Sequence, residues 1–382
     1  MTVTLPADIL PSDGRFGCGP SRIFPQHIQA INDSGLMGTS HRQAPVKNLV
    51  ASVRAGIREL YALPDGWEVV LGNGGATAFW AIATTSLVQQ QACHGVFGEF
   101  GSKFAAETQA APHLDPSIIV EAPAGHVALL SGHEKSDSPA GLHADFVAPD
   151  VFAHPHHETS TGALSPIRRI GNNEQLLLVD ATSIAGGINV DVTLCDAYYF
   201  APQKCFASDG GLWIALLSPA AQKRAHELHA ASDRWMPQFL DLSLAINNSV
   251  KDQTLNTPAL ATLIMLDQQI QWMLAEGGLE AMEKRSRAAS QVLYNWAENS
   301  EDLITPFVQK EEWRSPVVVT LDFNDSLSAG HIARILRDNG VVDVEPYRSL
   351  GRNQLRIATF PSTSVADVEA LVACITYIIE GM

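Results

Sequence analysis

Two stretches decide the fold: Leu176-Leu-Leu-Val-Asp180-Ala-Thr-Ser183 and Tyr198-Tyr-Phe-Ala-Pro-Gln203-Lys204-Cys205. Each is a short apolar run with the β-branched or aromatic residues typical of a buried strand, and each run leads to one charged side chain. In parallel sheets, ligands collect outside the carboxyl ends of the strands. We therefore expect Asp180 and Lys204, which are 24 residues apart, to face one site.

Similar apolar runs recur outward from these two and alternate with amphipathic segments. Residues 45–61 and 76–90 predict helices, the first because its apolar residues recur at helical spacing. The alternation predicts an α/β protein whose large domain is built on a mostly parallel, seven-stranded sheet. The predicted strands are 67–71, 95–97, 117–120, 145–147, 175–179, 197–200 and 212–217.

The pattern changes beyond Pro258, where residues 258–276 and 279–300 predict two long helices separated by Gly277-Gly278. The remainder predicts a small α+β C-terminal domain. We expect an N-terminal segment, 1–16, associated with this small domain, a large domain, 17–276, and the small domain itself, 277–382. The polar stretch 131–143 predicts an exposed connection. Within the small domain the predicted strands are 315–322, 341–345 and 354–358, and the predicted helices are 329–338 and 364–379.

Composition narrows the function classes. The 382 residues carry 41 acidic against 25 basic side chains, a formal net charge of −16, which disfavours nucleic acid and anionic membranes as partners. The five cysteines show no disulfide or CxxC spacing, and no apolar run approaches the roughly 20 residues of a membrane span. These features predict a cytoplasmic protein that acts on small molecules.

The chemistry of the strand-end pair favours an enzyme. A buried lysine has a lowered pKa and can attack an aldehyde as an amine, and an acid can hold a pyridine nitrogen protonated. The alternative is that Asp180 caps a turn and Lys204 is an exposed loop residue. The surroundings favour the first interpretation, because Lys204 follows an aromatic run and precedes a turn of small residues, Ala207 to Gly211.

The segment Ala201-Pro-Gln203-Lys204-Cys-Phe-Ala-Ser-Asp-Gly-Gly-Leu-Trp213 resembles the lysine segment of phosphoserine aminotransferases. These are a branch of the fold-type I, class V pyridoxal-phosphate transferases. The resemblance covers nearly the whole chain, and several motifs in order are more specific than any single one. The other matching segments are Phe16 to Pro20, Gly38 to Arg42, His157 to Gly162, Val179-Asp180, Leu255 to Pro258 and Leu355 to Ile357.

The resemblance implies pyridoxal 5'-phosphate as cofactor, with Lys204 and Asp180 as catalytic residues. The turn Gly72 to Gly75 opens a helix whose amides would bind the cofactor phosphate, and Phe100 would stack on the ring. Taken alone, the turn also fits a simple strand-to-helix connection, and Phe100 fits core packing. The implied cofactor contacts are Ala76, Thr77, Phe100, Thr159, Asp180, Gln203 and Lys204, with Asn256 and Thr257 reaching the site of the neighbouring subunit of an obligate homodimer.

For the substrates, the resemblance points to L-glutamate and 3-phosphohydroxypyruvate, and also to a second phosphorylated 2-oxo acid of pyridoxine synthesis, 3-hydroxy-2-oxo-4-phosphooxybutanoate. Arginine forks clamp carboxylate and phosphate groups. Three features depart from the family pattern: Ala76-Thr77 stands where an arginine is frequent, Tyr347 stands where a histidine is frequent, and the interval from Arg348 to Arg356 is about two residues longer than usual. The implied substrate residues are His41, Arg42, Arg348 and Arg356.

Other functions stay open at this point. Another class V activity, such as alanine:glyoxylate transamination or cysteine desulfuration, fits the same motifs, although a desulfurase needs a mobile cysteine and Cys205 should point away from Lys204. A cofactor-free binding protein that retains only the fold is a further alternative. We expect no metal, because His154-Pro-His156-His157-Glu158 lacks the His-Glu-x-x-His spacing of a zinc site.

Overall fold

A computed structural model describes residues 3–132, 148–301 and 303–381. Seven strands form one sheet in the order β1-β9-β8-β7-β4-β2-β3, while β5 and β6 pair as a small hairpin. The strands from β8 to β3 run parallel, and β9 is antiparallel to both β1 and β8. The strands are β1 (Glu68–Gly74), β2 (Ala92–Val96), β3 (Ile118–Glu121), β4 (Val151–Pro155), β5 (His157–Glu158), β6 (Ala163–Leu164), β7 (Leu176–Asp180), β8 (Ala197–Phe200) and β9 (Gly211–Leu217).

The sheet is buried on both faces because successive side chains of a strand point to opposite sides. Leu177 and Val179 join one apolar core, under α2 and α7, whereas Leu176 and Leu178 join another, under α3 to α6. The mostly parallel, two-domain α/β architecture is therefore confirmed. The helices are α1 (Pro25–Ser34), α2 (Ala44–Leu60), α3 (Ala76–Ser86), α4 (Glu99–Ala110), α5 (Pro219–Ala230), α6 (Leu242–Ser249), α7 (Leu260–Ala275), α8 (Gly278–Glu298), α9 (Ala329–Asp338) and α10 (Val365–Glu380).

The C-terminal part contains an antiparallel sheet of β10 (Ile304–Pro306), β11 (Val318–Phe323) and β12 (Gln354–Ala358), in that order. Its core is shared with α8, α9 and α10 and also takes in Leu5 and Phe16. The N-terminal segment thus packs on the small sheet and its helices. The domain limits, 1–16, 17–276 and 277–382, remain our proposal.

Some predicted elements differ from the structure. Residues 341–345 do not form a strand; Val342 makes a single parallel bridge to Arg15, and Asp343 has a left-handed φ of 67°, which interrupts an extended strand. The predicted strand 145–147 and most of the connection 131–143 lie outside the described residues. The fourth parallel strand is instead β4, which sequence analysis missed because Pro149 and Pro155 flank or end it.

No helix within residues 3–132, 148–301 and 303–381 has the length and apolar composition that a bilayer span requires.

Candidate active site

Lys204 lies just beyond β8 and is buried, with 9% of its surface exposed. Its amine, Nζ, donates a hydrogen bond of 2.7 Å to the carbonyl oxygen of Cys18. Gly19 has a φ of 136°, which L side chains rarely adopt, and a Cβ there would lie 2.5 Å from that amine and displace it. Burial lowers the pKa of Lys204 to about 8, and the nearby charge of Arg356 acts in the same direction. The exposed-loop alternative for Lys204 is therefore wrong.

Asp180 is the last residue of β7, directly beside β8, where it pairs with Tyr199. One carboxylate oxygen, Oδ1, accepts a hydrogen bond of 2.9 Å from the Thr182 amide, and the other, Oδ2, accepts one of 2.8 Å from the indole nitrogen of Trp80. Burial raises the pKa of Asp180, and these hydrogen bonds act against that effect. Adjacent parallel strands thus carry the acid and the lysine to the same edge of the sheet.

Phe100 lies in the first turn of α4, with its ring centroid 5.9 Å from the Lys204 amine. The backbone amides of Phe100 and Gly101 donate to one carboxylate oxygen of the fully buried Glu158, at 3.1 and 3.2 Å. The other oxygen of Glu158 accepts from the amide and the hydroxyl of Ser160. A buried carboxylate at the helix N-terminus thus fixes the position of Phe100 relative to β5.

Arg356 and Thr159 meet at the same place from opposite domains. The guanidinium Nη1 of Arg356 donates to the Thr159 carbonyl at 3.0 Å, and its Nε is buried without a hydrogen-bond partner among the described residues. The ring of Tyr347 contacts both this guanidinium and Phe100. Its centroid lies 5.2 Å from the central carbon of the guanidinium and 6.0 Å from the centroid of the Phe100 ring. Arg356 therefore has an unused donor next to the lysine and the aromatic ring.

Tyr347 and Arg356 line a cavity of about 690 Å³, together with Cys18, whose carbonyl accepts from Lys204. Its wall includes Arg348 and Arg356, together with the carboxylates of Glu99, Asp343 and Glu345. The two arginines are thus the cationic residues of a wall that otherwise carries acidic side chains, so a small anion entering the cavity has them as its charge partners.

Ala76 and Thr77 are the first residues of α3, behind the turn that ends β1. Gly74 adopts a φ of 127°, and a Cβ there would lie 2.6 Å from the Ala78 side chain, so the turn depends on glycine. A Cβ at Gly75 would meet nothing within 4 Å, which leaves open space in front of the helix N-terminus. Exposed amides at such a helix start can bind a phosphate.

His41, Arg42, Asn256 and Thr257 gather elsewhere, in a separate surface cluster. Arg42 donates to the Leu255 carbonyl at 3.1 Å, and the Thr257 hydroxyl lies 3.3 Å from Nδ1 of His41. None of the four lines the 690 Å³ cavity, whereas Arg348 and Arg356 do. The cluster touches the turn before α3, because Asn73 donates to the Thr257 carbonyl at 2.6 Å.

The sequence does not predict a role for three buried polar side chains of this region. They are Trp80 and Glu158, whose contacts are described above, and Ser183, whose hydroxyl lies 2.7 Å from Nδ1 of His157. The Nε2 of His157 and the Oε1 of Gln203 are buried and without partners among the described residues. Burial, with the charges of Lys204 and Arg356, holds the pKa of His157 well below its usual value, so this ring is neutral.

The histidine segment does not gather a metal site. His154 lies against the Pro155 carbonyl and His156 against the Tyr198 hydroxyl, so their rings point to different partners. No group of three or more metal-binding side chains with suitable geometry occurs within the part of the chain that the structure describes.

Comparison with known proteins identifies the family. The family profile described as "Aminotransferase class-V" matches residues 147–344. A phosphoserine aminotransferase of Corynebacterium glutamicum (strain R) is 51% identical over 381 residues, covering 99% of this chain and 97% of the relative. One of Nocardioides sp. is 53% identical over 384 residues, covering 99% and 98%. The chain therefore belongs to the class V aminotransferases. Within that class, these relatives at about half identity are phosphoserine aminotransferases.

Solved structures show the same fold. A phosphoserine aminotransferase of Cytophaga hutchinsonii superposes with a TM-score of 0.85 at 23% identity, covering 96% of this chain and 99% of that one. An alanine–glyoxylate aminotransferase of Nostoc sp. superposes with a TM-score of 0.79 at 19% identity, covering 99% and 98%. The fold type and the family expected from the lysine segment are confirmed.

Proposed function

We propose that the protein transfers the amino group of L-glutamate to 3-phosphohydroxypyruvate, giving O-phospho-L-serine and 2-oxoglutarate, with pyridoxal 5'-phosphate as cofactor. The observation that carries this proposal is the buried Lys204 amine, which lies between the ring of Phe100 and the Cys18 carbonyl, at the same sheet edge as Asp180. The relatives at 51% and 53% identity, both phosphoserine aminotransferases, support the choice of reaction.

The residues present fit this cofactor. A buried amine with a pKa of about 8 suits an aldehyde, and a carboxylate at a neighbouring strand end suits a pyridine nitrogen. The partnerless Oε1 of Gln203 and Nε2 of His157 are buried polar atoms that a bound ligand would satisfy. When bound, pyridoxal phosphate supplies an aldehyde that accepts amino groups and a ring that takes up the electron pair released at the substrate carbon.

Lys204 would supply the amine that binds the cofactor's aldehyde carbon, and after displacement it would move the proton at the substrate carbon. A pKa of about 8 suits both roles, because an appreciable share of the amine is neutral near physiological pH while the protonated form stays accessible. The hydrogen bond to the Cys18 carbonyl orients Nζ before reaction.

The other residues of the site would hold the cofactor and fix its orientation. Asp180 would keep a proton on the ring nitrogen, Phe100 would stack on the ring, and Thr159 would bond the phenolic oxygen. Gln203 and the amides of Ala76 and Thr77 would hold the phosphate at the start of α3. Support comes from the open space in front of Gly75 and from the buried position of Asp180.

Arg348 and Arg356 bind the anionic groups of the substrates. Arg356 is the better placed, because its Nε is buried and free to donate while Nη1 is held by the Thr159 carbonyl. Arg348 is exposed on the cavity wall and reaches the end of the substrate nearer to solvent. A carboxylate at one arginine and a phosphate at the other matches 3-phosphohydroxypyruvate.

The site is completed by a second copy of the chain in a homodimer. His41 and Arg42 would bind substrate, and Asn256 and Thr257 cofactor phosphate, in the partner's site. The surface cluster of these four residues, exposed or half-buried and outside the chain's own cavity, supports this arrangement. The protein would act in the cytoplasm, in serine synthesis, with neither nucleic acid nor membrane as a partner.

Subunit complementation tests the shared site. We expect Lys204→Ala and Arg42→Ala homodimers to be inactive and strongly impaired, respectively. A hybrid of the two has one site with both residues intact, so mixing the unfolded variants and refolding them should restore activity above that of either one. No recovery, with hybrids verified by mass spectrometry, would contradict sharing of the site.

The reaction is tested by the visible absorbance of the purified protein with bound pyridoxal phosphate. L-glutamate should remove the band of the aldehyde form, and 3-phosphohydroxypyruvate should restore it, whereas pyruvate at the same concentration should not. An equal response to pyruvate would leave an aminotransferase but refute the phosphorylated substrate. Competition with 3-hydroxy-2-oxo-4-phosphooxybutanoate then measures the proposed second activity.

No contact favours the alternative activities. A desulfurase needs a mobile thiol, but Cys205 is fully buried, with Sγ 3.5 Å from the Ser183 carbonyl oxygen. Cys18 is also buried, with Sγ 3.6 Å from the Arg356 carbonyl oxygen. Incubation with L-cysteine should therefore release no sulfide. A colourless protein after incubation with pyridoxal phosphate would instead support a cofactor-free binding protein.

A further inference from the structure

The side chain of Trp80 makes a direct contact with the carboxylate of Asp180. Its indole N–H donates to Oδ2 at 2.8 Å, and both residues are buried, with 3% and 8% of their surfaces exposed. The backbone amide of Thr182 donates to Oδ1 at 2.9 Å. Each carboxylate oxygen thus accepts one of these two hydrogen bonds, and its second lone pair can accept a further donor.

Trp80 is held in place independently of Asp180. Its ring stacks on that of Phe104, with centroids 6.3 Å apart and planes 15° from parallel, within the core beneath α3 and α4. An indole nitrogen can only donate, so its contact with a carboxylate cannot reverse direction as that of a hydroxyl can. The fixed ring therefore dictates the orientation of the Asp180 carboxylate.

The helix that carries Trp80 also carries the turn proposed to hold the cofactor phosphate. Ala76 opens α3, and Trp80 follows four residues later on the same side of the helix. One rigid turn of helix thus fixes the separation between the phosphate end of the site and the carboxylate at its other end.

We propose that Trp80 is a positioning residue that orients Asp180 and keeps the shared proton on the ring nitrogen of the cofactor rather than on the carboxylate. This inference rests on the proposed function. A hydrogen bond to an ionised carboxylate stabilises the anion, so its loss makes Asp180 a stronger base. The proton then moves from the ring nitrogen to Asp180, and the neutral ring accepts the electron pair of the substrate less well.

The test compares Trp80→Phe with the wild-type protein, both loaded with pyridoxal phosphate that carries ¹⁵N in the ring. We expect the ¹⁵N resonance to move toward the unprotonated position and kcat to fall about 10- to 100-fold, the effect of losing one hydrogen bond to a charged group. The KM for 3-phosphohydroxypyruvate should stay unchanged. Thr84→Val is the matched control, because it removes the hydrogen bond to the Trp80 carbonyl in the same helix while leaving the indole N–H and its packing in place.

An unchanged ¹⁵N resonance in Trp80→Phe would overturn the inference, as would an equal shift in Thr84→Val. If Trp80→Phe does not fold, Trp80→Leu is measured by the same criteria, since leucine has no N–H to donate to Asp180.

A cofactor-free measurement separates this inference from the proposed function. The indole proton resonance of Trp80 should lie downfield and move upfield in Asp180→Ala. Failure of that shift refutes the contact and leaves the function intact. A wild-type protein that shows the shift but binds no pyridoxal phosphate refutes the function instead.

Discussion

Replacing Lys204 with methionine should stabilise the cofactor-free protein at neutral pH. Burial lowers the pKa of Lys204 from 10.5 to about 8, so folding disfavours the protonated amine by about 3 kcal/mol at pH 7. Methionine fills a similar volume without a charge. The variant loses the donor to the Cys18 carbonyl, which costs about 1 kcal/mol. A net gain of about 2 kcal/mol in the free energy of unfolding remains.

The size of this stabilisation depends on pH. Since the folded pKa is below the unfolded one, the unfolded chain binds more protons between pH 8 and 10.5, and wild-type stability rises with pH across that window. The advantage of Lys204→Met should therefore shrink above pH 8 and vanish near about pH 10.

Urea denaturation of both cofactor-free proteins at pH 7, 8, 9 and 10, at equal protein concentration, measures the difference. Lys223→Met, on the exposed side of α5, controls for removing a lysine charge. A difference between wild type and Lys204→Met that is constant from pH 7 to 10 would refute the reasoning, whatever its size.

Three further predictions concern Lys204, Asp367 and Glu158. The rate at which cofactor-free protein takes up pyridoxal phosphate, followed by stopped-flow absorbance, should rise about tenfold per pH unit below pH 8 and level off above it, because only the neutral Lys204 amine attacks. Burial acts to raise the pKa of Asp367, but hydrogen bonds from Ser12, Arg22 and Ser364 bring this pKa to about 2. Asp367→Asn should therefore cost roughly 2 kcal/mol of unfolding free energy at pH 7, and the difference should fade as pH drops from 4 to 2. Glu158→Gln should lower the free energy of unfolding, measured by urea denaturation, by about 3 kcal/mol. Backbone donors now reach both carboxylate oxygens of Glu158, and an amide has only one oxygen to accept them.

Each of these three predictions has a result that would contradict it. Cofactor uptake independent of pH would show that amine protonation does not limit the step. A stability loss in Asp367→Asn that persists at pH 2 would assign its effect to packing. A Glu158→Gln variant as stable as wild type would mean that water replaces the lost acceptor at the start of α4.

The sheet could be predicted because its strands are buried on both faces, which leaves uninterrupted apolar runs in the sequence. Strand β8 matches its predicted limits, and β7 is offset by one residue. Strand β4 was missed because histidines and prolines hide its apolar character. Residues 341–345 look like a strand, but the backbone at Asp343 turns left-handed and ends the pairing, which no local pattern reveals.

The candidate site could be predicted only where chemistry is tied to a strand end. Asp180 and Lys204 meet because parallel strands end together, and a single sequence is enough to see this. The contact between Trp80 and Asp180 joins residues 100 apart and depends on how α3 packs against the sheet. Tryptophan in an apolar helix looks like core, so no sequence signal identifies it as a donor.

The backbone that precedes Cys18, whose carbonyl accepts from Lys204, connects the small domain to the active site. Residues 14–16 are bonded to the small domain, through the Val342 amide on Gly14 at 2.8 Å and the Ala358 amide on Phe16 at 3.0 Å. Two residues later, the Cys18 carbonyl accepts from Lys204, and the Ser21 amide donates to Gln203 at 2.8 Å. Only one residue separates the last of these small-domain contacts, at Phe16, from the oxygen that holds the amine. We therefore expect a change in how residues 14–16 pack on the small domain to alter the hydrogen bond that orients the lysine.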